Sequence, residues 1–159
     1  MRIEQLEKDA ENRAEEAESL SREAEERKKQ ADELCALIDK LWAAHAEIGS
    51  DELRTAIETS QESKREVERG LEEALEKRDR MVSDTEKDIE RCDRYLGYAQ
   101  KALDWGPPLT ESLVGSYSPF GKGATYILDN VEQTVERTRK TKNSYLQTLD
   151  KLSRIRQRE

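Results

Sequence analysis

The sequence predicts an all-α protein: an elongated antiparallel coiled-coil hairpin of two long helices, with a third helix packing on one end as a three-helix bundle. Two observations carry this prediction. About half of the residues are Ala, Glu, Lys, Leu or Arg, a composition typical of coiled coils and long helices. Apolar residues also recur every three or four positions along three long segments. The β-branched runs that buried parallel strands require are absent from the sequence, which argues against barrels and doubly wound sheets.

The first helix is predicted over residues 2–48, because a heptad pattern keeps its register throughout this range. Position a holds Ile3, Ala10, Ala17, Ala24, Ala31, Ile38 and His45, and position d holds Leu6, Arg13, Leu20, Arg27, Leu34, Leu41 and Ile48. Disordered chains rich in both charges do not keep such a register, so the pattern favours a helix over disorder.

The second helix is predicted over residues 51–104. It follows Gly49-Ser50-Asp51, which combines a glycine suited to the left-handed end of a helix with side chains that cap a new one. A step of four residues from Leu71 to Leu75 is a stutter in its heptads. Its core positions are predicted to be Leu53, Ile57, Val67, Leu71, Leu75, Val82, Thr85, Ile89, Cys92, Leu96, Ala99 and Leu103.

The third helix is predicted over about 123–157, again from apolar residues at three-four spacing. The segment 105–122 contains all three prolines and is predicted to be a loop, because proline removes a backbone donor and clashes with the preceding turn. Residues 1–159 would then form a single elongated helical domain. The core positions of the third helix are predicted to be Leu128, Val131, Val135, Thr138, Lys142, Tyr145, Leu149 and Leu152.

The apolar surface is widest next to the hairpin turn, on the first helix. The candidate partner interface consists of Leu34, Leu37, Ile38, Leu41 and Trp42. A seam between two helices can bury Leu34, Ile38, Leu41 and Ile48. The flanking positions hold Leu37 and Trp42, which only a third surface would bury. Three alternatives stay open: the helices bend and bury these residues, two copies associate as a homodimer, or another helical protein docks.

The charge balance bears on partners and location. The chain carries 36 acidic and 28 basic residues, for a net charge of −8, which argues against nucleic acid as the main partner. The basic excess lies near the end of the third helix, where it is expected to complement the two acidic helices. The first twenty residues are too charged for a signal peptide, and no apolar run reaches membrane-spanning length. We therefore expect a cytoplasmic protein without a membrane partner, although export without a signal peptide stays open.

Residue patterns for chemistry are missing from the sequence. Cys35 and Cys92 are isolated thiols, His45 is the only histidine, and the Gly-Lys-Gly at 121–123 lacks the spacing of a phosphate-binding loop. We therefore predict no catalytic, cofactor or metal site. The aromatic residues Trp105, Tyr117 and Phe120 are predicted to plug the open end of the bundle.

Residues 85–159 nevertheless resemble a known family. Two helices joined by a turn with an aromatic residue and glycines, here Phe120-Gly121-Lys122-Gly123-Ala124, resemble the WXG100-like hairpins of type VII secretion and the related LXG-domain accessory proteins. The sequence departs from the family pattern, since it has no Trp-x-Gly and Tyr145 is followed by Leu149 where the family has an acidic residue. The resemblance implies a protein that pairs side by side into helical bundles and serves export as a substrate, adaptor or chaperone. The loop or turn residues concerned are Trp105, Phe120, Gly121 and Gly123.

Taken together, these patterns predict a non-enzymatic protein that binds a helical partner, or a second copy of itself, as a scaffold or adaptor. The alternative is a secretion-associated adaptor, chaperone or substrate of the type VII kind.

Overall fold

The computed structural model describes the backbone of residues 3–113 and 120–157 and the side chains of residues 3–105 and 129–155. Helix α1 spans Ile3–Ile48, helix α2 spans Asp51–Leu113 and helix α3 spans Phe120–Gln157. No strand occurs in these described ranges. The prediction of an all-α fold with three helices is confirmed, and the contacts between the helices are those of a three-helix bundle.

The turn between α1 and α2 forms as predicted. Gly49 has a φ of 64°, the left-handed conformation that glycine adopts without steric cost, and its N–H donates to the carbonyl of His45 at 2.8 Å. The hydroxyl of Ser50 accepts a hydrogen bond from the N–H of Glu52 at 3.2 Å and so caps α2.

The predicted loop over 105–122 is wrong at both ends. Helix α2 continues through Pro107 and Pro108 to Leu113, and α3 begins at Phe120. A proline costs a helix interior roughly 3 kcal/mol through its missing donor and its clash with the preceding turn. That penalty is local, and a long helix with intact hydrogen bonds on both sides can continue across it. Residues 114–119 lie outside the described part of the chain.

Contacts within the chain divide it into two compact units. Unit 1 comprises residues 1–15 and 82–150, and unit 2 comprises residues 16–81 and 151–159. In each unit, segments of α1, α2 and α3 pack together. The prediction of a single domain over 1–159 stays a prediction.

The core of unit 1 is unusually polar. Its buried apolar side chains are Leu6, Ala10, Cys92, Val135 and Tyr145, and its buried polar ones are Thr85, Asp88, Thr138, Thr141 and Thr148. On α3 the hydroxyls of Thr138, Thr141 and Thr148 donate to the carbonyls four residues earlier at 2.7, 2.9 and 3.0 Å. These bonds satisfy the hydroxyls inside their own helix, so that the threonine methyls can pack.

These threonines correct the predicted core of α3. Thr141 and Thr148 are buried, whereas the predicted Lys142 and Leu149 are only half-buried. On α2 the structure likewise buries Asp88, and the predicted Ile89 is half-buried.

The core of unit 2 follows the heptads of α1 more closely. Its buried side chains are Ala17, Leu20, Ala24, Ile38, Ile57, Ala74, Arg78, Met81, Leu152 and Ile155. At the d position Arg27, the guanidinium lies directly against Gly70 of α2, where an added Cβ would come within 1.7 Å of Nη1. Glycine at position 70 therefore leaves the space through which the long arginine side chain crosses the seam.

Candidate partner-binding surface

The candidate partner interface lies in unit 2, at the part of α1 and α2 next to the hairpin turn, which we call the tip (residues 34–67). Ile38 and Ile57 are buried there, and Leu34 and Leu41 are half-buried. These side chains form the seam between the two helices, as predicted. Ile48 is exposed instead of buried, because it is the last residue of α1 and the chain turns away at Gly49.

Leu37 and Trp42 remain exposed at the tip. Their exposed fractions are 44% and 48%, so the chain does not bury them by bending. The Trp42 ring makes an edge-to-face contact with the ring of His45, with centroids 5.8 Å apart and an interplanar angle of 80°. This contact restrains the tryptophan ring while leaving about half of it open to solvent.

Trp42 lies on the flank of the tip that continues the α3-binding face of α1. Within unit 2, Ser21 and Lys28 line a groove of about 340 Å³ that α3 also borders. Cys35 and Trp42 follow these two residues at heptad spacing, and therefore lie on the same side of α1. The complete lining of the groove is Ala17, Glu18, Ser21, Ala24, Glu25, Lys28, Leu71, Leu75, Lys151, Arg154 and Ile155.

Helix α3 does not extend along this flank as far as Trp42. It ends at Gln157, and its last described side chain, Ile155, lines the groove beside Ala24 and Lys28. Trp42 lies four turns further along α1 than Lys28, at about 1.5 Å of rise per residue. Among the described residues, α1 and α2 therefore form the flank beside Trp42 without α3.

Leu37 faces the opposite flank of the seam. It lines a shallow depression of about 370 Å³ together with Gln30, Glu33, Leu34 and Val67, all from α1 and α2. The two exposed residues therefore belong to two separate surfaces, which the sequence pattern did not distinguish.

The Trp42 flank also carries a polar pair between the two helices. The Cys35 side chain, with a smaller contribution from Glu68 at 3.4 Å, raises the pKa of Lys64. Lys64 therefore stays charged at neutral pH, next to the apolar surface. A partner helix on this flank would meet a tryptophan, a thiol and a fixed positive charge.

A second polar cluster, in unit 1, was not predicted as a group. Asp88 accepts hydrogen bonds from Arg13 at 2.5 Å and from Arg91 at 2.7 Å, and the Arg13 guanidinium carbon lies 5.7 Å from the centroid of the Tyr145 ring. The Tyr145 hydroxyl donates to the carbonyl of Leu6 at 3.1 Å. The sequence signal was an arginine at a heptad d position of α1, which requires a partner across the seam.

The chemistry of this cluster is that of a packed core. Burial is the main cause that raises the pKa of Tyr145 to about 12, with the Asp88 charge adding to it. Burial also raises the pKa of the Cys92 thiol. Both groups stay protonated at neutral pH, and every buried side-chain nitrogen and oxygen among the described residues has a hydrogen-bond partner. The cluster therefore orders the unit 1 core and presents no activated nucleophile.

The predicted loop residues are only partly described. Trp105 lies in α2 and is 73% exposed, so the prediction that it plugs the bundle is wrong. Phe120, Gly121 and Gly123 belong to the beginning of α3, but their side chains lie outside the described residues, as does Tyr117. The type VII secretion hypothesis built on that turn stays a prediction.

No group of three or more His, Cys, Asp and Glu side chains among the described residues is arranged to hold a metal ion. None of the helices, as far as they are described, is long and apolar enough to cross a membrane.

Comparisons with known proteins bring no relative to this chain: no family model, no curated protein and no solved structure matches it.

Proposed function

We propose that this chain is a non-enzymatic scaffold or adaptor that binds a helix of a partner protein on the Trp42 flank of its tip. The observation that carries the proposal is the exposed Trp42 ring, which contacts the ring of His45. Trp42 lies on the side of α1 that, nearer to the N-terminus of α1, borders α3. A partner helix lying there would complete a three-helix arrangement that the chain itself begins.

The energetics favour Trp42 as the anchor of this contact. Burying a large apolar side chain contributes roughly 1.5–3 kcal/mol, and tryptophan is among the residues that most often dominate protein interfaces. An amphipathic helix in a groove is a common way to bury such anchors, with contacts repeating every three or four residues. The partner helix would place apolar residues over Trp42 and an acidic residue near Lys64.

The experiment replaces Trp42 with serine and compares binding with stability. Affinity purification of the full chain from its native host, quantified by mass spectrometry, should lose one specific partner with Trp42→Ser. Leu146→Ser is the matched control. Leu146 is an apolar residue of unit 1 that is 43% exposed, close to the exposed fraction of Trp42. It should retain that partner.

Thermal melts and sedimentation velocity complete the test. Since Trp42 is half-exposed, Trp42→Ser should leave helicity and melting temperature close to those of the wild type. A concentration-dependent dimer that Trp42→Ser abolishes would identify the partner as a second copy of the chain. A sharp loss of stability without any loss of association would show that Trp42 packs internally, and would refute the proposal.

A further inference from the structure

Helix α2 carries an exposed row of basic and aromatic residues in unit 1. We call it the basic-aromatic stripe. Its members share one side of the helix at three-four spacing and are all exposed: Arg91, Arg94, Tyr95, Tyr98, Lys101 and Trp105. The stripe is about 21 Å long at 1.5 Å of rise per residue. Its last member, Trp105, belongs to the stripe because α2 continues past residue 104.

The exposure of the aromatic rings is unusually high for side chains of this size. Tyr98 is 69% exposed and Trp105 is 73% exposed. Beside them, Arg91, Arg94, Tyr95 and Tyr98 line a shallow groove of about 350 Å³. Tyrosine, tryptophan and arginine are the residues most enriched among the energetic centres of protein interfaces. Leaving a row of all three residue types exposed to water is energetically unfavourable unless another molecule covers it.

The cations of the stripe are available for an acidic ligand. Among the described residues, Arg94 and Lys101 take part in no salt bridge, and Arg91 is held at one end of the stripe by Asp88 at 2.7 Å. The chain as a whole is acidic, with a net charge of −8, so this local basic surface stands out from its surroundings. Charge complementarity therefore points to an acidic partner segment.

We propose that the basic-aromatic stripe is a second docking surface, and that it binds an acidic amphipathic helix of a protein partner. Carboxylates at three-four spacing on that helix would pair with Arg94 and Lys101, while its apolar residues cover Tyr98 and Trp105. A nucleic acid fits less well, because its evenly spaced phosphates would also meet Glu90 and Asp104 at the borders of the stripe, whereas a helix can place its carboxylates opposite Arg94 and Lys101 alone. The inference is independent of the Trp42 flank, which belongs to unit 2.

The test uses a synthetic probe and the full chain. The probe is a fluorescent helical peptide of about three heptads with glutamate and leucine on one face, and its two twins carry glutamine or lysine in place of glutamate. Fluorescence anisotropy should show that the chain binds the acidic probe at least about tenfold more tightly than the glutamine twin, in a salt-dependent manner, and does not bind the lysine twin. A single-stranded oligothymidylate is titrated in parallel.

Variants locate the site. Arg94→Glu with Lys101→Glu should abolish binding of the acidic probe, and Tyr98→Ser with Trp105→Ser should weaken it about tenfold or more. The matched control is Arg80→Glu, which reverses an exposed arginine on the same helix outside the stripe. Circular dichroism confirms that each variant is folded. Equal binding of the three peptides, an effect of Arg80→Glu as large as that of the stripe variants, or tighter binding of the oligothymidylate would each overturn the inference.

Discussion

Removing Asp88 should destabilise unit 1 far more than removing Asp88 and Arg13 together. The Asp88 side chain is only 6% exposed and accepts hydrogen bonds from two arginines. Asp88→Ala deletes the acceptor and leaves both guanidinium groups without their carboxylate. Arg91, whose side chain is 44% exposed, can turn to water, but the Arg13 side chain is 22% exposed and lies over the Tyr145 ring.

The expected magnitude follows from this difference in exposure. Breaking a buried ion pair by deleting one partner costs about 3–5 kcal/mol, because a buried charge is left uncompensated. Partial access of water to Arg13 moves the expectation for Asp88→Ala to the lower end, about 3 kcal/mol. The double variant Arg13→Met with Asp88→Leu buries no charge at this position and replaces the pair with apolar volume. Such replacements are often neutral or stabilising, so we expect it to lie within about 1 kcal/mol of the wild type.

Urea unfolding followed by circular dichroism measures both variants. Asp84→Ala is a suitable control, since Asp84 is an exposed carboxylate on the same helix that pairs with the exposed Lys87. If Asp88→Ala costs less than about 1 kcal/mol, the carboxylate is not needed to compensate Arg13. If the double variant is as unstable as the single one, the pair itself stabilises the fold and the desolvation argument fails.

Two further predictions concern titratable groups in the core. Unfolded tyrosine ionises near pH 10 and Tyr145 at about pH 12, so the free energy of unfolding should fall as pH rises through this window, by up to about 1.4 kcal/mol per pH unit. Tyr145→Phe should remove this part of the decline in urea titrations, whereas the exposed control Tyr98→Phe should keep it; an unchanged decline in Tyr145→Phe would contradict the assignment. Cys35 and Cys92 are both free thiols, and the half-buried Cys35 should react with a thiol reagent well before the buried Cys92, whose pKa burial raises. The variants Cys35→Ser and Cys92→Ser assign the two phases, and equal rates for both thiols in the folded chain would refute the burial argument.

The fold was predictable because α1 keeps one heptad register along its length. Residues that share positions a and d, such as Ala10, Ala17 and Leu20, are buried in the structure. The turn at Gly49 was predictable for a different reason, since only glycine adopts its φ of 64° without strain.

The core of α3 was less predictable from apolarity alone. Lys142 and Leu149 fit the three-four pattern, but Thr141 and Thr148 are the residues that the structure buries. Burying a threonine costs free energy when its hydroxyl has to find a hydrogen-bond partner across the core. In a helix it finds that partner in the carbonyl four residues earlier, so its burial cost depends on a local bond that a hydropathy pattern does not contain.

The two surfaces differ in how far the sequence could reveal them. Leu37 and Trp42 were predicted to flank the seam, and they are exposed, but their separation onto opposite flanks needed the position of α3. The stripe had a readable signal in Arg94 and Tyr98 at helical spacing. Only its last member, Trp105, was placed in a loop, because α2 was predicted to end at residue 104.

Stability and recognition are expected to be separable in this chain, because different residues carry them. The core residues Ile57 and Tyr145 are almost completely buried, and removing such a side chain leaves a cavity whose cost falls on the folded state, commonly 2–5 kcal/mol. Trp42 keeps about half of its surface in water and Tyr98 about two thirds, so the folded chain gains little from them, and the free energy of burying that surface is still available to a partner. A partner that covers either surface should therefore raise the melting temperature, whereas removing the exposed ring should not lower it. This asymmetry distinguishes a binding surface from a weakly packed core, and it applies separately to the tip in unit 2 and to the stripe in unit 1.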